Sequence, residues 1–216
     1  MILIGMFDSP FVRRVAVSAS VLGFEFEHRN WSVGRDFDRI RQFNPLGRVP
    51  TLVLDSGEAL IESGMILDWL DEQAGPDRAL LPASGQARRD ALRIMALAVG
   101  AAEKGIHAVL ERVFKPEDKR HAPWIERCHA QVHGALAELD RLCAQAGERD
   151  WLVGEAMTQA DITLACYVTY LGEAMPIDLA LHPALQARVQ RCEALEVFHR
   201  FYVPFAAPLP KMPASA

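Results

Sequence analysis

Asn44-Pro45-Leu46-Gly47-Arg48-Val49-Pro50 leads directly into Thr51-Leu52-Val53-Leu54, so two prolines and a glycine are followed at once by an apolar run. A chain punctuated in this way ends a helix, turns, and starts a strand on a proline. Pro50 has no N–H to give to a sheet ladder, which confines it to a strand start, an edge or a bulge. With a cis bond before it, the Val49 amide and carbonyl would face out of the sheet, free to pair with the backbone of an extended peptide.

Upstream of this segment, residues 1–6 read as a buried strand, and Ser9-Pro10 supplies an N-cap serine with proline at the first helical position. Val12, Val15, Ala16, Ala19 and Leu22 recur at three- and four-residue spacing until Gly23, and Phe24 to His28 alternates as a strand does. This predicts a right-handed strand-helix-strand unit with parallel strands. A short polar helix is expected over residues 36–43. Downstream, Thr51 to Leu54 and Ala59 to Ile61 flank Asp55-Ser56-Gly57-Glu58, the pattern of an antiparallel hairpin. Glu62-Ser63 then opens a helix, with Ser63 as its expected N-cap, that ends by Gly75-Pro76.

Beyond this βαβ-α-ββα unit, taken as residues 1–75, residues 76–85 read as a linker and no strand follows. Helical spacing runs over residues 86–114 and again over 123–145, as for antiparallel neighbours in a bundle. Thr158 stands three residues before Asp161, a capping-box variant, ahead of a stretch that is apolar nearly all round and is expected at the bundle's centre. Two shorter helices, over residues 183–192 and 195–201, complete an all-α second domain assigned to residues 86–216. The proline-rich tail after Pro204 has no evident packing partner.

Half of the 216 residues are apolar, enough for a full core, and the formal net charge of -5 argues against a nucleic-acid or anionic-membrane partner. No apolar run approaches the roughly 20 residues needed to span a bilayer, so a cytoplasmic location is the default expectation. Cys128, Cys143, Cys166 and Cys192 form no C-x-x-C pair and no zinc-type spacing, and read as small buried apolar residues. His129 and His133 lie four apart on one helical face without a third ligand, so no metal site is expected.

Four motifs fall in one order along the chain: Ser9-Pro10-Phe11 with Arg13, the Asn44 to Pro50 segment, Glu62-Ser63 followed by Ile66, and the Gly154 to Asp161 capping segment. Together they resemble the cytosolic glutathione transferase family, of a bacterial, serine-type active site, over essentially the whole chain. The resemblance implies an α/β thioredoxin-like N-terminal domain that binds glutathione. It implies also an all-α helical domain lining the pocket for a small hydrophobic electrophile, and a homodimer. Glutathione would be a co-substrate, with no permanently bound cofactor.

Carried onto this sequence, the resemblance makes Ser9 the donor to the glutathione sulfur. The Val49 backbone would lie opposite the cysteinyl unit, Pro50 would shape that turn, and Phe11 would contact the tripeptide. The Ser63 hydroxyl and backbone N–H, at a helix start, suit the γ-glutamyl carboxylate. Glu62 would hold the ligand's ammonium, and Arg48 would meet the glycyl end or a neighbouring carboxylate. Phe7, His107 and Phe114 are expected to border the electrophile pocket. Asp8, beside Ser9, would oppose thiolate formation if it faces the sulfur. Neither tyrosine nor cysteine stands at the active position, and the Ser-Ser-Cys signature of the isomerase-active zeta class is absent. The expected function is conjugation of glutathione to the electrophile. The alternatives are a non-catalytic protein-binding relative and a glutathione-dependent peroxidase or reductase.

Overall fold

The computed structural model describes residues 1–206. Strand β1 (Ile2–Ile4), helix α1 (Pro10–Val21) and strand β2 (Glu27–Arg29) make the expected crossover, with β1 and β2 parallel. Helix α2 (Phe37–Ile40) is a single turn. Strands β3 (Thr51–Val53) and β4 (Ala59–Ile61) form the hairpin, with β3 also antiparallel to β1, and the sheet order is β2-β1-β3-β4. Helix α3 (Ser63–Ala74) closes the unit. The second strand starts later than the alternation suggests. Phe24 and Phe26 alternate because they pack, on Trp69 and Phe201 respectively, while ladder pairing begins only at Glu27.

The rest of the described chain is helical: α4 (Gly85–Phe114), α5 (Ala122–Ala146), α6 (Gln159–Ala174), α7 (Pro183–Glu193) and α8 (Glu196–Arg200), with short 3-10 turns at Glu117–Lys119 and Leu179–Leu181. Helices α4 and α5 are antiparallel: Arg93, early in α4, reaches Glu138, late in α5, at 2.6 Å, while His107, late in α4, meets the Trp124 ring near the start of α5. As expected of a helix apolar nearly all round, α6 is the buried centre. Its start is tied by the capping box: the Asp161 carboxylate accepts from the Thr158 amide and hydroxyl and from the Leu152 amide, each at 2.9 Å.

Helix α1 is covered on both sides, by the sheet and α3 on one and by α6 on the other, so even its polar residues Arg13, Arg14 and Ser18 are buried. Each finds a partner. Arg13 forms a two-bond pair with Glu193 of α7 at 2.8 and 2.6 Å, and Gln159 of α6 donates to the Ser18 hydroxyl at 2.9 Å. Burying a cation is tolerable only when it is paired in this way.

Candidate functional site

The segment from Asn44 to Pro50 is held by its own polar groups. The Asn44 side chain is buried, donates to the Arg48 carbonyl at 2.9 Å and accepts from the Leu46 amide at 3.0 Å, and the Thr51 hydroxyl donates to the same Arg48 carbonyl at 3.2 Å. Gly47 adopts φ +62°, where a Cβ would also lie 2.1 Å from the Phe37 ring. Gly5 plays the matching part under the turn: at φ +135° it lets Val49 approach so closely that a Cβ on Gly5 would fall 2.8 Å from the Val49 Cβ. The Val49–Pro50 bond is cis. Among the described residues no backbone partner meets the Val49 amide or carbonyl.

A small recess of about 50 Å³ lies beside this turn, bordered by Arg48, Val49, Pro50, Phe11 and the Glu62-Ser63 pair. The start of α3 differs from the expected cap. Glu62, not Ser63, is the N-cap residue, and its carboxylate accepts from the Gly64 amide at 2.8 Å and from the Ser63 hydroxyl at 3.1 Å. Ser63 is thereby placed in the first helical turn and faces inward, where its hydroxyl accepts from the buried Arg14 guanidinium at 2.7 Å. Glu62 holds φ 70°, the sole non-glycine positive φ among the described residues. Such backbone costs on the order of 1–3 kcal/mol and is kept where the surroundings impose it, commonly at a binding site.

Next to the recess is a larger cavity of about 700 Å³, running from the start of α1 to the second half of α4. Ser9, Asp8, Met6 and Phe11 form one wall; Trp31, Ser32 and Arg48 form a second; Glu103, Ile106, His107 and Leu110 of α4 form the third. Ser9 stands at the N-cap position of α1, yet its side chain makes no capping hydrogen bond, so the hydroxyl is uncommitted at the helix start. Burial raises the Asp8 carboxyl above the ordinary carboxylate value, opposed by the backbone N–H groups of Ala206 and Ser9 and by the field of Arg35.

Seven of the ten residues singled out in the sequence, Ser9, Phe11, Arg48, Val49, Pro50, Glu62 and Ser63, therefore border one or both of two adjoining cavities, and His107 borders the larger. Phe7 and Phe114 do not. The Phe7 ring stacks on His28 with centroids 3.8 Å apart and meets Phe201 edge-on, so it is used in packing behind the strand. Phe114, at the last turn of α4, is 54% exposed and lies beyond the cavity wall. Their positions along the chain suggested both for the cavity, and neither borders it.

The tail was expected to lack a packing partner, and as far as it is described it has one. Phe205 meets the Tyr170 ring edge-on at 5.2 Å, its amide donates to Glu173 at 2.8 Å, and Phe205 with Ala206 lines part of the larger cavity. The remaining tail, 207–216, falls outside the described residues. Tyr170, Trp31 and Arg14 also went unnoticed in the sequence. An isolated aromatic in a proline-rich tail was a usable signal for Phe205, whereas nothing local distinguishes Tyr170 or Arg14 from ordinary helix residues.

Comparison with known proteins agrees with this geometry. The model for the glutathione S-transferase N-terminal domain matches residues 3–78, and that for the glutathione S-transferase C-terminal domain matches residues 122–195. A glutathione S-transferase of Methylobacterium radiotolerans, solved in complex with glutathione sulfonate, superposes with a TM-score of 0.85 at 31% identity, covering 100% of this chain and 98% of that one. The chain belongs to the glutathione S-transferase family. Two further members of similar sequence are the GST-like protein YibF of Escherichia coli, 29% identical with 78% of this chain and 81% of that protein covered, and the maleylacetoacetate isomerase of Pseudomonas aeruginosa, 29% identical with 86% of each covered. Within this family the mixed four-stranded sheet with its helices, followed by the helical bundle, is the α/β thioredoxin-like plus all-α architecture expected from the sequence. Among the described residues, no helix is long and apolar enough to cross a membrane.

Proposed function

We propose that the protein binds glutathione along the turn at Val49 and the start of α3, and that Ser9 holds its sulfur as a thiolate for transfer to an electrophile in the larger cavity. The observation that carries this reading is the uncommitted Ser9 hydroxyl, at the N-cap of α1 on the wall of a cavity that shares Phe11, Arg48 and Val49 with the Glu62-Ser63 recess. The Methylobacterium relative solved with glutathione sulfonate supports the choice of ligand. In this reading Val49 pairs with the peptide backbone, the Ser63 amide meets the γ-glutamyl carboxylate, and Glu62 its ammonium. Arg48 meets the glycyl end, and Phe11 packs between the two cavities.

Energetics favour a donor over a base at Ser9. A free thiol has a pKa of about 8.5, and lowering it by two units needs about 2.7 kcal/mol of preference for the anion. A hydrogen bond to the charged sulfur supplies roughly 1.5–3 kcal/mol, and the helix start roughly 0.3–1 more. The thiolate then attacks the electrophilic carbon. With an aryl chloride the new C–S bond forms and the C–Cl electron pair leaves with chloride.

The test is turnover of chlorodinitrobenzene with glutathione in wild type and Ser9→Ala. The variant is expected to lose roughly 10- to 100-fold in kcat, the rate equivalent of one charge-assisted hydrogen bond, while retaining glutathione binding within a few-fold. Equal kcat in both forms would remove Ser9 from the mechanism. Retention on immobilised glutathione without turnover in either form would favour a non-catalytic binding role. A second reading, glutathione-dependent isomerisation, is favoured by the similarity to the Pseudomonas maleylacetoacetate isomerase, while the absence of a Ser-Ser-Cys signature counts against it. We further propose a homodimer, residues 1–75 as the glutathione-binding domain joined by 76–85 to the helical domain, and a cytoplasmic, detoxifying role.

A further inference from the structure

The two cavities differ in charge. Arg48 borders both and stands at their junction, next to the recess where the tripeptide is proposed to lie. The ionisable groups that border the larger cavity alone are Asp8, Glu103, His107 and Tyr170. Asp8 and Glu103 are acids contributed by different elements, one beside Ser9 and one on α4. No lysine or arginine other than Arg48 borders this cavity among the described residues. The cations nearby are otherwise occupied or set back: Arg112 donates to the Ala174 carbonyl at 2.8 Å and borders a different pocket, and Arg35 is exposed outside the wall. The remaining lining is apolar or aromatic, from Met6, Trp31, Ile106, Leu110 and Phe205.

Resting on the glutathione reading above, we infer that Asp8 makes this cavity selective by charge: it accepts neutral or cationic aromatic and aliphatic electrophiles and disfavours those that carry a carboxylate near the reacting carbon. Asp8 adjoins Ser9 in sequence and both border the cavity, so in this reading a substrate placed for attack by the sulfur comes close to Asp8. A second anion there is partly removed from water and meets like charge, while among the described residues the one lysine or arginine on the wall, Arg48, stands at the recess end. Charged groups arranged against the wrong partner set specificity alongside attractive contacts to the right one. Asp8 is thus a specificity-determining residue, and the cavity suits an aryl halide, epoxide or enone lacking acidic groups.

The test uses a matched pair, a chloronitrobenzamide and the chloronitrobenzoate of the same substitution, each with kcat/KM divided by its uncatalysed rate with glutathione. Wild type is expected to favour the amide by roughly tenfold, and Asp8→Asn to shrink that preference by roughly fivefold. Any effect of Asp8 on the thiolate is common to both substrates and cancels in the ratio. Affinities of the two S-aryl glutathione conjugates, amide and carboxylate, are measured alongside by calorimetry and need no turnover. Charge-dependent conjugate affinity that Asp8→Asn abolishes, without turnover, would sustain the selectivity and sink the catalytic reading. Turnover with the benzoate as good as the amide, or a ratio unchanged in Asp8→Asn, would overturn the selectivity while leaving conjugation intact. Failure of both conjugates to bind would overturn both.

Discussion

Asp8 and Ser9 are neighbours with opposed effects on one sulfur. Ser9 offers a donor and the helix start a partial positive charge; Asp8 adds a like charge on the same cavity wall. Burial raises the Asp8 carboxyl, so the protein already resists charging it, and a thiolate alongside resists it further. Because like charge disfavours the anion, Asp8→Asn is expected to lower the pKa of the bound glutathione thiol by roughly half a unit to one unit. A pH titration of the thiolate absorbance of the glutathione complex checks this, and a rise or no change would mean that Asp8 does not act on the sulfur. The residue level is also where the sequence was read least well. Phe7 and Phe114 are aromatic residues at plausible positions, but only the packed structure shows one ring stacked on His28 and the other turned to solvent.

Among the elements, α6 shows how a short local motif sets a long-range arrangement. Asp161 is fully buried, and burial pushes its carboxyl upward, opposed in part by three hydrogen bonds from Thr158 and Leu152 that fasten the loop before α6 to the helix start. Asp161→Ala leaves two buried amides without acceptors and is expected to cost about 2–4 kcal/mol in denaturant-induced unfolding. A loss below about 1 kcal/mol would show that the cap is dispensable. This motif was legible because a capping box needs only residues close in sequence. The start of α3 was read less accurately. Ser63 has the right chemistry for an N-cap, yet the inward pull of Arg14, 49 positions away in sequence, places it in the first turn and leaves capping to Glu62.

Across the whole molecule, α1 is the joint between the sheet and the helical bundle, and its buried arginines carry that joint. Arg13 is almost fully buried and pairs with Glu193, which also accepts from Thr169 at 2.6 Å. Removing Glu193 strands a buried cation. Glu193→Ala is expected to destabilise the protein by about 2–3 kcal/mol, somewhat below the 3–5 typical of broken buried pairs because the Glu193 side chain is 23% exposed. Equilibrium unfolding followed by tryptophan fluorescence checks it; Trp31 and Trp69 report on the sheet side, Trp124 and Trp151 on the bundle. If the joint is as tight as its ion pair and the Gln159–Ser18 bond imply, both regions unfold in one transition, and a split transition in wild type would contradict that.

The glutathione-side candidates came with the family resemblance, whereas the Asn44 to Pro50 segment, the strand-helix-strand alternation and the capping residues settle the architecture from the sequence alone. They do so because proline, glycine and cap chemistry act over a few residues, through backbone geometry and local hydrogen bonds. Tertiary structure alone decided which residues border the cavity, that Arg14 and Ser63 meet beside the recess, that Phe205 and Ala206 line the cavity, and that Asp8 and Glu103 border it with, among the described residues, no lysine or arginine beyond Arg48. Those facts depend on residues brought together from distant elements, where direction and burial, rather than residue type, determine what a side chain touches.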